Sequence, residues 1–116
     1  MGIAKTRGEA GETLAAAYLT LAGQAVRARN HRVGGVEVDL LADDAGTTVL
    51  VEVKLRGRSD YGGAALAVDR RKRERLLRAA RALLQSGSAR VRIDVVTVEL
   101  SLDGATIRHY RNAVTE

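Results

Sequence analysis

The chain has 116 residues, which fits one compact domain and leaves little room for two; 46% are hydrophobic, yet there is no Phe, Trp or Pro, so any core is built almost wholly from Val, Leu, Ile and Ala. Cys is absent, which excludes disulfides and cysteine-ligated zinc and fits a cytoplasmic protein. Nineteen Lys and Arg against fourteen Asp and Glu give a formal charge of +5.

Thr6 to Glu9 has the form of a capping box, with Thr6 as N-cap and Glu9 reaching back to its amide. A helix should follow to about Ala22 and stop near Gly23. From Leu14 to Ala22 only Thr20 interrupts the apolar residues, which predicts a helix buried on most sides. That run is short and follows Glu9 and Glu12, so it reads as neither a signal peptide nor a membrane span. Ala25 to Arg32 reads as a first strand. Val36, Val38 and Leu40 then alternate with Glu37, Asp39 and Leu41, the period of a second strand. Asp43-Asp44-Ala45-Gly46-Thr47 supplies turn chemistry, and Val49, Val51 and Val53 alternate with Leu50, Glu52 and Lys54 in a third. Gly57 to Gly63 is a loop by its glycines.

Asp69 can cap a second helix that runs to about Gln85, with Gly87 just past its end. Lys72, Leu76, Ala79, Ala80 and Leu83 share one side of it at spacings of three and four, while Arg71, Arg75 and Arg78 form a separate basic side. Asp69 to Arg81 holds seven basic residues and two acidic ones, so this segment carries the whole net charge. A localised stripe of this kind suits nucleic acid; a solvated helix face carries the same pattern. Arg90 to Leu100 is a further strand, and Asp103-Gly104 turns it into a short last one, Ala105 to Tyr110. The order is helix, three strands, helix, two strands, which predicts a single α/β domain around a mixed sheet.

The charges inside the hairpin ask for a reason. Facing residues of antiparallel strands lie on the same side of the sheet, and one register pairs Asp39 with Glu52, Glu37 with Lys54 and Leu41 with Leu50. Two carboxylates placed so repel unless one is protonated or a cation lies between them. Mg²⁺ takes oxygen ligands, commonly one or two carboxylates completed by water and phosphate oxygens. Asp39, Glu52 and the carbonyl of Val53 offer that set. Lys54, two residues after Glu52, points to the same face, where its ammonium can hold an attacking water or offset charge on a phosphate. Such a site would hydrolyse a phosphodiester. A polar hairpin face meeting water uses the same residues; on that view Glu37 pairs with Lys54 and Glu12 is a surface carboxylate.

The ordered set Glu12, Asp39, Glu52-Val53-Lys54 resembles the PD-(D/E)XK nuclease superfamily and, within it, the archaeal Holliday-junction resolvases. The nearer likeness is to the bacterial YraN family of predicted endonucleases, carried by GETLAAAYL with Gly23, Arg29-Asn30, EVDLLA, VEVKLR, Tyr61-Gly62, Lys72, VRIDVV and the closing IRHYRNA. It spans about Gly8 to Ala113. Val36 stands where these proteins usually have Gly before the acidic motif, which removes no ligand.

The resemblance implies a restriction-endonuclease-like core: a mixed central sheet with flanking helices and a metal site at the hairpin. It assigns Mg²⁺ or Mn²⁺ to Asp39 and Glu52, catalysis to Lys54, and the positioning of water or a second metal to Glu12. The partner expected is nucleic acid, DNA ahead of RNA, contacted through Arg71, Arg75 and Arg78 with Lys72, Arg56 and Tyr61. No membrane is expected, and the oligomeric state stays open, a homodimer included. Lys72 either reaches the active face or snorkels to the rim. Tyr61 stacks on a base or anchors its own loop. Asp94, inside an apolar strand, calls for a nearby Arg in a structural role; His31 and His109 belong to no cluster. A metal-dependent nuclease is the leading reading. A nucleic-acid-binding module on the same fold, cleaving weakly or not at all, is the alternative, and an adaptor whose basic helix docks on an acidic protein is a third.

Overall fold

A computed structural model describes residues 7–56 and 68–116. Its elements are α1 (Arg7–Leu21), β1 (Ala25–Val33), β2 (Val36–Asp44), β3 (Thr47–Arg56), α2 (Arg70–Gln85), β4 (Val91–Ser101) and β5 (Gly104–Tyr110). The strands form one sheet in the order β1-β2-β3-β4-β5. Neighbours are antiparallel except β3 and β4, which run parallel. A parallel pair needs a crossover, and α2 lies within that connection. The chain is therefore an α/β protein with a mixed sheet flanked by two helices, in the expected order. The expected Thr6 cap, the Gly57–Gly63 loop and Tyr61 lie outside the described residues. Among the described residues no helix is long and apolar enough to cross a membrane.

The two helices cover opposite faces. On one, Ala15 and Leu19 of α1 pack over Leu40, Ala42, Val49, Val51, Val96 and Val98. On the other, Leu76 and Ala79 of α2 pack with Val33, Val36, Val38, Leu50 and Ile93. Central strands covered on both sides read as continuous apolar runs, which is why Val49-Leu50-Val51 and Val95-Val96 are fully buried. At the edge, β1 exposes Arg27, Arg29, His31 and Arg32, charges that discourage pairing with another strand.

The prediction for α1 needs correcting. It buries one stripe, Gly11, Ala15 and Leu19, rather than most of its surface; Ala17 and Thr20 face solvent and Leu21 is 89% exposed. Among the described residues the sheet is what lies against this helix, and the outward positions Ala17 and Thr20 are small residues that lose little by meeting water. For α2 the expected cap is present: the Asp69 Oδ1 accepts the Lys72 amide at 2.8 Å.

The hairpin register holds near the turn and then stops. Asp44 pairs with Thr47, Leu41 with Leu50 and Leu40 with Val51, and the ladder ends there. The expected Asp39–Glu52 and Glu37–Lys54 pairs do not form; Glu37 instead faces Arg32 of β1. The physical reason is a reversal of facing within β2. Leu40 and Ala42 point under α1, whereas Val36 and Val38 point under α2. On β1 the ladder steps from Arg29–Leu40 to His31–Val38, passing over Asn30 and Asp39. Asn30 has φ 48° there, a left-handed conformation that Asn tolerates better than most residues. From Val36 to Asp39, on the N-terminal side of Leu40, β2 stays with β1 and is apart from β3.

Asp94 is fully buried, and the Arg expected beside it is Arg92. Arg92 Nε and Nη2 donate to its two oxygens at 2.8 and 2.9 Å, and the Asn112 amide donates at 2.9 Å. Burial pushes the carboxyl upward, but these bonds and one from His109 outweigh it and hold the acid below its usual range. His109 Nε2 lies 2.7 Å from Asp94, and Nδ1 lies 3.2 Å from the Tyr18 hydroxyl on α1. The sequence places His109 in no cluster, but it ties β5 to both β4 and α1.

Candidate active site

The gap opened between β2 and β3 is where the acidic residues collect. Glu37, Asp39 and Glu52 line a cavity of about 160 Å³ together with Lys72 and Arg75 of α2, over Val36 and Leu76. Past the end of the ladder, the Val53 amide finds another acceptor: it donates to Asp39 Oδ2 at 2.8 Å. The N–H and C=O of a strand residue point to the same side, so the Val53 carbonyl also opens toward β2. Glu52 is buried, its side chain 8% exposed, and its Oε2 accepts from Lys72 Nζ at 2.8 Å.

The electrostatics record crowded negative charge. Burial, then the neighbouring Glu52 carboxylate, and further off Glu12, push the Asp39 carboxyl up to about 7; the Val53 amide and Lys72 pull the other way. Lys72 is shifted upward by its hydrogen bond to Glu52 and so holds its proton firmly.

Glu12 approaches from the α1 side. Gly11 makes this possible, since a Cβ there would already lie 3.4 Å from Leu55 Cδ1 of β3. Asn30 Nδ2 donates to Glu12 Oε1 at 3.2 Å, and Arg29 Nη2 lies 3.8 Å from the same oxygen. Arg29 also donates to the Thr13 hydroxyl at 3.1 Å and the Glu9 carbonyl at 3.3 Å, which fixes the helix to β1. Glu12 is thus a held, mostly buried group rather than a surface carboxylate. Lys54 and Arg56 are half-buried on β3, beyond Glu52. Arg71, Arg75 and Arg78 lie on α2 away from the core, and of these Arg75 also lines the cavity.

The donor set suits a hard divalent cation. Among the described residues no three of Asp, Glu, His and Cys close into a ready-made metal cage. Mg²⁺ does not need one, since it commonly takes one or two carboxylates and leaves its other positions to water and phosphate. The raised Asp39 and the Lys72 ammonium on Glu52 both mark surplus negative charge that a dication would neutralise.

The sequence puts Asp39, Glu52 and Lys54 on one hairpin. It does not reveal Asn30 and Arg29 as the partners of Glu12. It also leaves Lys72 undecided between the active face and the rim; the ammonium is at Glu52.

Residues 11–98, most of the chain, match the model of the family described as "Uncharacterised protein family UPF0102". The chain belongs to this family. It is the YraN family that the motifs resemble, and the matched span runs from α1 through β4, taking in Glu12, Asp39, Glu52, Lys54 and Lys72. A UPF0102 protein of Halorhodospira halophila is 44% identical over 112 residues, 97% of this chain and 89% of that protein. Another UPF0102 protein, from Symbiobacterium thermophilum, is 46% identical over 100 residues, 84% of this chain and 85% of that one. Among solved structures, Pyrococcus furiosus SfsA in complex with Ca²⁺ aligns with 94% of this chain at 17% identity and a TM-score of 0.36, a loose superposition; this chain spans 64% of that one, less than two thirds of its length.

Proposed function

We propose that this UPF0102 protein is a metal-dependent endonuclease that hydrolyses phosphodiester bonds in nucleic acid, DNA ahead of RNA. The observation that carries the reading is the convergence on one cavity of three acidic residues, Glu37 and Asp39 of β2 and Glu52 of β3, from strands that part company there, with Lys72 and Arg75 of α2. Asp39, Glu52 and the Val53 carbonyl would hold Mg²⁺ or Mn²⁺, with Glu12 beside them from α1. Such an ion supplies Lewis acidity at a phosphoryl oxygen.

The side chains do the rest. The Val53 amide fixes the Asp39 carboxylate, so its free oxygen faces the cavity. Lys54 offsets negative charge that builds on the phosphoryl group, an effect worth most where water is excluded. Glu12, held by Asn30, orients water. Arg71, Arg75 and Arg78 take flanking phosphates, which set register without reading sequence.

The test is a cleavage screen over branched DNA, flaps, single strands and RNA, each with Mg²⁺ and with Mn²⁺. Cleavage should require the ion and fall at least about a hundredfold in Asp39→Ala, Glu52→Ala and Lys54→Ala, with the fold intact by circular dichroism. Wild-type cleavage by folded Asp39→Ala protein overturns the site. The arginines of α2 would serve a binding module equally well; tight binding with no cleavage on any substrate replaces the nuclease reading with that one.

A further inference from the structure

Resting on that reading, we propose that Lys72 is a built-in counter-ion that competes with the divalent cation for Glu52, so that metal entry releases the Lys72 ammonium toward the mouth of the cavity beside Arg75. A buried carboxylate is costly unless paired, and Glu52, 8% exposed, is paired with Lys72 Nζ at 2.8 Å. Glu52 and Lys72 both line the cavity that Asp39 lines. An ammonium and a dication drawn to one carboxylate repel each other, so a metal at Glu52 weakens the Lys72 contact and the two compete.

Lys72 is built to leave without disturbing the fold. Its amide is fixed to Asp69 Oδ1 at 2.8 Å, and Leu76, one turn on, is buried in the core. The backbone therefore stays while the side chain, 45% exposed, has open solvent to swing into. Arg75 lines the same cavity, so a released ammonium there stands next to a guanidinium. Two adjacent cations make a better phosphate site than either alone, and this links metal loading to capture of the substrate backbone. In the metal-free protein the same ammonium quiets the repulsion between buried Glu52 and half-buried Asp39, which explains how the acidic pair survives without an ion.

Calorimetric titration of Mn²⁺ into the wild type, Lys72→Met and Arg75→Gln tests the exchange without using activity. Lys72→Met should melt lower than wild type in chelator yet bind Mn²⁺ about tenfold more tightly, because no charge-assisted hydrogen bond has to break first. Arg75→Gln removes a charge at the same cavity that does not touch Glu52, and should gain much less. Equal or weaker Mn²⁺ binding by Lys72→Met, or an equal gain in Arg75→Gln, overturns the competition while leaving the nuclease reading intact. A wild type that binds no Mn²⁺ overturns both. Should Lys72→Met fail to fold, acylation of Lys72 in the wild type, followed by peptide mass spectrometry, gives the answer directly. Mn²⁺ should speed its labelling several-fold, and an unchanged rate in metal-loaded protein overturns the release.

Discussion

At Asp39, burial and the Glu52 carboxylate favour the proton, while the Val53 amide and Lys72 favour its loss, and the balance lies at about 7. A carboxyl raised in the folded state above its ordinary value of 3.8 lowers stability as it ionises. The metal-free protein should therefore be more stable at pH 5 than at pH 8, and the penalty should build between about pH 4 and 7 and stay constant above. Asp39→Asn removes it. Denaturant unfolding in chelator should show the variant ahead at pH 8 by on the order of 1 kcal/mol, after allowance for screening, with the gap closing at pH 5. A constant gap would mean that Asp39 does not titrate in this range. That Asp39 and Glu52 belong together is legible in the sequence, since both sit on strands joined by a short turn. Their other partners are not. Lys72 lies 20 residues from Glu52, and His109 lies 91 residues from Tyr18, separations at which no periodicity reports proximity.

Among the elements, α2 is the most legible. Its helical period separates the Leu76, Ala79 side, which is buried, from Arg71, Arg75 and Arg78, which are exposed; Lys72 crosses that division, since it lines the cavity together with Arg75. The end of the β2–β3 ladder is not legible, because Val36, Val38 and Leu40 alternate without interruption and give no hint of the reversal at Asp39. That reversal lies opposite Asn30, a residue of another strand with φ 48°. If the arginine side of α2 tracks phosphates, replacing Arg71, Arg75 and Arg78 with Gln should weaken nucleic-acid binding. It should also flatten its salt dependence by roughly 0.7–0.9 in log–log slope for each phosphate no longer neutralised. Fluorescence anisotropy across a salt series measures this, and an unchanged slope moves the binding surface elsewhere. Because these side chains lie outside the core, melting temperature should hardly change, which separates weakened binding from damage to the fold.

Across the whole molecule, the sheet is firm at its centre and open at one place. Both faces of β3 are covered and its parallel partner β4 runs beside it from Thr48–Val91 to Arg56–Glu99, so amides in the ladder there should exchange only through large-scale opening. On the other side of β3, cross-strand support ends at Val51, and from that point the site's own chemistry holds the backbone. The Val53 amide is the marker, because its acceptor is a carboxylate oxygen of Asp39 rather than a strand carbonyl. In the wild type Val53 should be protected almost as well as Val51, although it lies past the last pair. Asp39→Ala should speed Val53 exchange roughly ten- to a hundredfold, the range for a hydrogen bond to a charged group, while Leu50 and Val51 keep their rates. Faster exchange spread over all three would signal a global fall in stability instead. An unaffected Val53 would mean that something other than Asp39 holds its amide, and would remove the hydrogen bond that fixes the Asp39 carboxylate in the cavity.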